Sequence, residues 1–77
     1  MKLERTILTN LELGHNGMMA VGTLWSEVGL DVGGSTYTEF NKALRTLEEK
    51  GQVITIKGED RNKAKITDAG RARLLEQ

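Results

Sequence analysis

The sequence predicts a small α+β domain in which helices come first and a β-hairpin follows. Three features of the 77-residue chain indicate this class. Apolar residues recur at helical spacing through much of the first fifty positions, clear start and stop signals bracket residues 37–50, and after Gly51 the apolar period changes from 3.6 to 2. The length suits one domain, residues 1–77, with a modest core.

The first predicted helix covers Lys2–Leu13, because its apolar residues form one helical stripe. The stripe consists of Leu3, Ile7, Leu8 and Leu11. Gly14 stands where a left-handed C-cap is expected, and residues 15–17 are typical of a turn. The apolar run Met18–Val21 then predicts a short buried strand or an extended segment.

A second helix is expected to begin at Val21, where helical spacing returns. Its stripe consists of Val21, Leu24, Trp25 and Val28. Gly29 is predicted to end this helix after about two turns, and residues 30–34 to connect it to the next. A helix this short depends on tertiary packing.

The third helix, at about 37–50, has the strongest local signals. Thr36 and Glu39 fit a capping box, and Lys50 followed by Gly51 marks the end. Its apolar residues are Phe40, Ala43, Leu44 and Leu47. Trp25 of the preceding helix is expected to pack into the same core, although a half-exposed tryptophan also suits a protein contact.

Residues 52–67 predict a β-hairpin with a long polar tip. Residues 53–56 and 64–67 are the strands, and the charged stretch 57–63 joins them. A final helix, Ala69–Glu76, is expected to be capped by Thr67 or Asp68.

The composition disfavours most enzyme classes and cofactors. The chain has no cysteine and a single histidine, His15, so neither a thiolate metal site nor a Ser/His triad is available. No apolar run approaches the roughly 20 residues of a membrane span, and the N-terminus lacks a signal-peptide core. We therefore expect a cytoplasmic, non-enzymatic domain with no metal, no small-molecule cofactor and no membrane partner.

The element order is that of a winged helix-turn-helix: a three-helix core, a short strand, a C-terminal hairpin wing and a short final helix. Residues 40–54 also resemble the recognition-helix and first-wing-strand run of MarR-like and PadR-like transcriptional regulators, with Leu-x-x-Leu-Glu-x-x-Gly at Leu44–Gly51. Residues 66–74 resemble the Leu-Thr-x-x-Gly-x-x-x-Leu run that leaves the wing in the same families, with Ile66 in the first position.

This resemblance implies DNA binding through the third helix. The chain departs from the families in a longer turn before that helix and in the short segment after Thr67, where relatives usually carry dimerisation helices. Ligand sensing is therefore not implied.

The charge distribution points to the second half of the chain. Residues 1–39 carry two basic and five acidic side chains, whereas residues 40–77 carry nine and six, so a neutral chain has halves of −3 and +3. On helix 37–50 the residues opposite the apolar stripe are Thr38, Asn41, Lys42 and Arg45. Arg45 suits guanine and Asn41 suits adenine in a major groove.

The helix start and the hairpin add further candidates. Ser35 and Thr36 lie at the helix N-terminus, where free amides favour phosphate, and the Tyr37 hydroxyl suits a backbone oxygen. The hairpin candidates are Lys57, Arg61, Asn62 and Lys63. Arg61 suits a narrow minor groove. The alternatives are a merely solvated helix face and a loop that keeps edge strands from pairing.

Two functional hypotheses follow. The first is a small sequence-specific double-stranded DNA-binding protein, a transcriptional regulator with helix 37–50 in the major groove and hairpin 52–67 as wing. The second is a winged-helix protein-interaction module that uses Trp25, Tyr37 or the acidic first half. A homodimer is expected, through part of the first-helix stripe or through Leu74 and Leu75.

Overall fold

The predicted α+β class is confirmed. The structure, a computed structural model, describes residues 2–32, 37–59 and 61–76, and all of their side chains except those of 2 and 30–32. In chain order, the elements are α1 (Lys2–Leu13), β1 (Met18–Ala20), α2 (Val21–Val32), α3 (Tyr37–Glu49), β2 (Val53–Ile56), β3 (Lys63–Ile66) and α4 (Asp68–Leu75). No helix in these ranges has the length and apolar character that crossing a membrane requires.

The core lies between the first three helices and one face of the sheet. The buried apolar side chains are Leu3, Ile7, Leu8, Leu11, Leu24, Val28, Phe40, Ala43, Leu44, Leu47, Val53, Ala64 and Ile66. All four residues of the predicted α1 stripe are therefore buried in the core, and the stripe offers no surface for the expected dimer. Met19 and Trp25 are half-buried against this core, whereas Met18 is half-buried outside it.

The three strands form one antiparallel sheet in the order β1-β3-β2. Met19 pairs with Ala64 across β1 and β3, and Val53 pairs with Ile66 across β2 and β3. Directly opposed residues share a face, so these two pairs define the inner face of the sheet. β2 is an edge strand of this sheet.

Glycine ends α3 as the sequence predicts. Gly51 has φ +73°, the left-handed region. Its amide donates to the Glu48 carbonyl (3.0 Å), and the Gln52 amide donates to the Leu47 carbonyl (2.9 Å). This pair of bonds is the Schellman termination, and it turns the chain directly into β2.

The prediction that Gly14 is a left-handed C-cap of α1 is wrong. The positive φ angles after α1 belong to Asn16 (+56°) and Gly17 (+70°), so the left-handed turn comes two residues later. Gly14 is needed for space, because a Cβ there would lie 2.6 Å from the Met18 carbonyl oxygen.

The predicted end of α2 at Gly29 is also wrong. The helix continues through Leu30 to Val32, which leaves only residues 33–36 between α2 and α3, outside the described residues. An interior glycine costs a helix about 1 kcal/mol relative to alanine, and burial of Leu24 and Val28 against the core outweighs it. The expected capping box lies partly in the same undescribed segment, at Thr36.

α4 begins one residue earlier than predicted, at Asp68, and Thr67 is its N-cap. The Thr67 hydroxyl accepts a hydrogen bond from the Gly70 amide (3.2 Å) and donates to the Gly51 carbonyl (2.6 Å). Gly70 is buried, and a Cβ there would collide with the Gln52 carbonyl. The contact between Thr67 and Gly51 thus fixes the start of α4 against the end of α3.

A buried carboxylate joins α1, α3 and α4. The Glu4 side chain is only 8% exposed, and its Oε1 accepts from Arg73 Nη1 (2.8 Å) and Lys50 Nζ (3.3 Å). Arg73 Nη1 also donates to Gln52 Oε1 at 2.9 Å. Burial raises the pKa of the Glu4 carboxyl, but the two cationic donors outweigh burial, so its pKa lies below the ordinary 4.5.

Glu4→Gln is expected to lower the free energy of unfolding at pH 7 by about 1–3 kcal/mol, because charged hydrogen bonds are lost in a buried site. A carboxylate whose pKa is lowered by folding stabilises the protein above its unfolded pKa, and this contribution is lost as the pH falls through the folded value. Wild type should therefore lose part of its advantage over the variant below about pH 4.5. Urea unfolding between neutral and acidic pH measures the difference.

The matched control is Glu12→Gln. Glu12 pairs with Arg71 at 3.0 Å, with both side chains about two-fifths exposed. Such a pair contributes less than about 1 kcal/mol. Equal destabilisation by the two substitutions would contradict the role assigned to Glu4.

Candidate nucleic-acid interface

α3 presents a polar face to solvent on the side opposite the core. Burial of Phe40, Leu44 and Leu47 fixes the rotation of the helix about its axis. Five of the candidate residues predicted for this helix are exposed, namely Tyr37, Thr38, Asn41, Lys42 and Arg45. Their predicted outward position is confirmed. Ser35 and Thr36, the other two candidates at this end, lie outside the described residues.

Four of these side chains form a single stripe. Thr38, Asn41, Lys42 and Arg45 line one shallow depression on α3. From Thr38 to Arg45 the helix rises about 10 Å, at about 1.5 Å per residue. This length corresponds to about three base pairs of duplex. Side chains of these types donate to phosphate oxygens and to acceptors on base edges, and the threonine hydroxyl and asparagine amide oxygen also accept from donors on base edges.

The C-terminal part of the same helix is acidic. Glu48 and Glu49 are exposed in its last turn, whereas Lys42 and Arg45 precede them. Before Glu48 the helix carries Lys42, Arg45 and the exposed Glu39 of its first turn, whereas its last turn carries only the two glutamates, so its C-terminal end repels an anion more than its earlier turns do. A polyanion is expected to meet α3 through its first two to three turns.

The basic side chains divide into two groups. Four bond within the domain: Arg5, Lys50, Arg71 and Arg73. The other six described ones form no ion pair with any described residue: Lys42, Arg45, Lys57, Arg61, Lys63 and Lys65. All six lie on α3 or on the hairpin, so the described cations without an ion pair are confined to these two elements.

The hairpin carries its candidates on the connection between its strands, of which residues 57–59 and 61–62 are described and exposed, and on the first residue of β3. The side chains of Lys57, Arg61, Asn62 and Lys63 are all exposed, as predicted. A shallow concavity between the end of β1 and this connection is lined by Ala20, Gly58, Glu59, Arg61 and Lys63. Of the described residues that line it, Arg61 and Lys63 are basic and Glu59 is acidic.

A backbone hydrogen bond fixes the loop end of the hairpin relative to α2. The Asn62 carbonyl accepts from the Val21 amide at 3.0 Å, and Val21 is the first residue of α2. Sequence reasoning identifies the Asn62 side chain but misses this role of its backbone, because the bond joins positions 41 residues apart through the β1–β3 register. The hairpin and the helical part are therefore held in one arrangement.

An aromatic cluster supports the start of α3. Trp25 on α2 contacts Tyr37 edge-on, with ring centroids 5.5 Å apart, and Phe40 at 5.3 Å. Tyr37 also stacks on Phe40 at 6.0 Å and is 51% exposed. Trp25 therefore packs into the core, as predicted, and at the same time abuts a candidate interface residue.

In comparisons with protein-family models, with curated proteins and with solved structures, no significant match to this chain was found.

Tyr37→Ala is expected to lower the free energy of unfolding by about 1–2 kcal/mol, since the ring makes two aromatic contacts. Tyr37→Phe retains both contacts and should stay within about 0.5 kcal/mol of wild type. Denaturant unfolding, followed by circular dichroism, measures both. Equal losses for the two variants would mean that the hydroxyl, and not the ring, stabilises the fold.

Proposed function

We propose that this protein binds double-stranded DNA sequence-specifically and acts as a transcriptional regulator. In this proposal the domain is a winged helix-turn-helix related to MarR-like and PadR-like regulators. α2 and α3 form the helix-turn-helix, and the β2–β3 hairpin is the wing. The element order and the sheet order β1-β3-β2 support this assignment.

The observation that carries the proposal is the division of the basic side chains. Duplex DNA is a polyanion, and cations that are free to contact phosphate supply most of the affinity for it. Among the described residues, the cations without an ion pair lie on α3 and the hairpin. Elsewhere, Lys50 and Arg73 are paired with Glu4, and Arg71 with Glu12. A net charge of zero is therefore compatible with a locally basic binding surface.

α3 enters the major groove in this proposal. The groove is about 12 Å wide and admits one helix. The stripe from Thr38 to Arg45 faces the base edges, with Arg45 paired to guanine and Asn41 to adenine. Glu48 and Glu49 keep the C-terminal end of the helix away from phosphate, so α3 points into the groove with its N-terminal half.

The hairpin contacts the flanking backbone or minor groove. Lys57 and Lys63 lie at the two ends of the connection and suit phosphate oxygens, while Arg61 suits the negative potential of a narrow minor groove. The bond from Val21 to Asn62 holds the loop end of the hairpin at a fixed distance from the start of α2, the first helix of the proposed helix-turn-helix. A fixed distance favours one spacing of major-groove and minor-groove contacts.

The alternative is a winged-helix protein-interaction module that contacts a partner through Trp25 and Tyr37. The half-exposed Tyr37 ring favours it, because exposed aromatic rings are enriched in protein interfaces. Titration of a nonspecific duplex at about 50 mM salt separates the two functions. Salt-sensitive binding supports DNA recognition, and no detectable binding supports the alternative.

Arg45→Ala is expected to weaken binding to the preferred duplex by about 1–3 kcal/mol and to relax the preference at one base pair, since a bidentate contact is lost. Sequence selection from a random duplex pool identifies the preferred site, and gel-shift titration then measures affinity. A variant with unchanged affinity and unchanged preference would contradict the assigned role of Arg45.

The matched control is Arg71→Ala. It removes the same formal charge from α4, where Arg71 is paired with Glu12 and Asp68 away from α3. Its affinity for the preferred duplex should stay within about twofold of wild type. An equal loss in both variants would indicate a general charge effect.

Lys63→Ala is expected to act differently, because Lys63 is assigned to phosphate. It should weaken binding to preferred and nonspecific duplexes alike, and reduce the slope of log affinity against log salt by about one unit. Fluorescence anisotropy over a salt series measures this slope. A change in base preference without a change in slope would contradict the assignment.

A further inference from the structure

Among the described residues, the free edge of the sheet is the exposed apolar segment that the proposed DNA-binding surface does not explain. Ile54 and Ile56 on β2 are 47% and 40% exposed. The strongly exposed leucines Leu13 and Leu75, by contrast, lie singly at the ends of α1 and α4. Exposed edge strands with apolar side chains pair readily with another strand.

The side chains of β2 alternate across the sheet. Val53 is buried on the inner face, and Ile54 and Ile56 lie on the outer face, opposite Lys65 and Lys63 of β3. β3 lies between β1 and β2, so one side of β2 has no partner strand among the described residues.

The hydrogen-bond pattern shows which backbone groups face the free edge. The Thr67 amide donates to the Gln52 carbonyl at 3.0 Å, which puts the opposed residues Gln52 and Thr67 at the position of a hydrogen-bonded pair, although the Gln52 amide itself donates to Leu47. In an antiparallel ladder such pairs alternate along the strand, so Ile54 and Ile56 also direct their backbone groups toward β3. The amide and carbonyl groups of Val53 and Thr55 therefore point away from the sheet, and those of Lys57 continue the same row.

We propose that β2 pairs antiparallel with β2 of a second copy of this chain, with the two-fold axis at Thr55. Thr55 then exchanges both backbone hydrogen bonds with Thr55 of the second copy, and Val53 does so with Lys57. The outward-facing groups are satisfied symmetrically, because the row of residues 53, 55 and 57 is centred on Thr55.

Side chains select this register. Pairing about Thr55 places Ile54 of each copy directly opposite Ile56 of the other, so four isoleucines form one apolar group on the outer face. A shift of the axis to Ile54 sets Ile56 against Gln52, and a shift to Ile56 sets Ile54 against Gly58. Only the register centred on Thr55 pairs every exposed isoleucine of β2 with another.

Charges along the edge are compatible with a second copy. Lys57 meets Val53, so no like charges oppose each other in the ladder. Two residues further, Glu59 comes opposite the uncharged Gly51 of the second copy. This dimer leaves the exposed face of α3 uncovered by the ladder, and it does not depend on the proposed binding of DNA.

The contact is small, since each copy contributes one short strand. Stable dimers bury about 800 Å² per partner, so this pair is expected to dissociate on dilution and to assemble at high protein concentration. Sedimentation equilibrium of the whole protein without DNA, up to about 1 mM, measures it. A protein that remains monomeric at that concentration overturns the proposal.

Thr55→Pro tests the backbone contact. The Thr55 amide points outward, so proline there removes no bond to β3, and edge positions tolerate proline. The dimer dissociation constant should rise about tenfold or more, while Thr55→Val, which keeps the amide, should stay within about threefold of wild type. Circular dichroism checks that each variant is folded. A folded Thr55→Pro variant that dimerises like wild type overturns the proposal.

Thr55→Cys tests the register independently of any loss of stability. The chain contains no cysteine, and residues of a hydrogen-bonded antiparallel pair have Cα atoms about 5.5 Å apart, within disulfide range. Under mild oxidation this variant should form a covalent dimer about tenfold faster than Thr23→Cys, which places a thiol on the exposed surface of α2. Equal rates overturn the proposal.

Discussion

The packing of α3 on the other helices and the sheet determines which of its side chains are exposed to solvent. Phe40, Ala43, Leu44 and Leu47 are buried together, and successive residues of a helix are about 100° apart. A rotation of α3 that moved its buried face forward by one residue would therefore bury Asn41 and Arg45 and expose Phe40. Burial of one face thus determines which groups solvent, or a ligand, can reach on the other, without any contact that involves the polar residues themselves.

The acidic residues contribute to this surface indirectly. Glu4 and Glu12 hold Lys50, Arg71 and Arg73 in contacts between α1, α3 and α4, so these cations stabilise the fold and add little to the external field. In the part of the chain that the structure describes, the cations of α3 and the hairpin have no ion-pair partner. The net charge of the whole chain is therefore a poor guide to its field, because screening limits surface charges to about 8 Å.

Local signals made much of the fold predictable. The bounds of α1, α3 and β2 follow from apolar period and from Gly51, whose left-handed conformation depends only on neighbouring residues. The end of α2 was not predictable in this way, since burial of Val28 outweighs the cost of Gly29. The Glu4–Arg73 contact and the Val21–Asn62 bond join residues 69 and 41 positions apart, and no local pattern encodes such pairs. For the candidate interface, the exposed side of α3 was predictable from helical period, but the internal pairing of the remaining cations was not.

The guanidinium of Arg5 holds the two ends of the described chain close together. It donates to the carbonyl oxygens of Arg73, Leu74 and Glu76, at 3.3, 3.0 and 2.9 Å, and so ties the last described residues to the first turns of α1. The beginning and the end of the described chain are therefore neighbours in space. A short linker can join them with little strain, and new ends can then be opened in the exposed connection between β2 and β3, so the architecture is suited to circular permutation and to insertion as a unit within a larger protein.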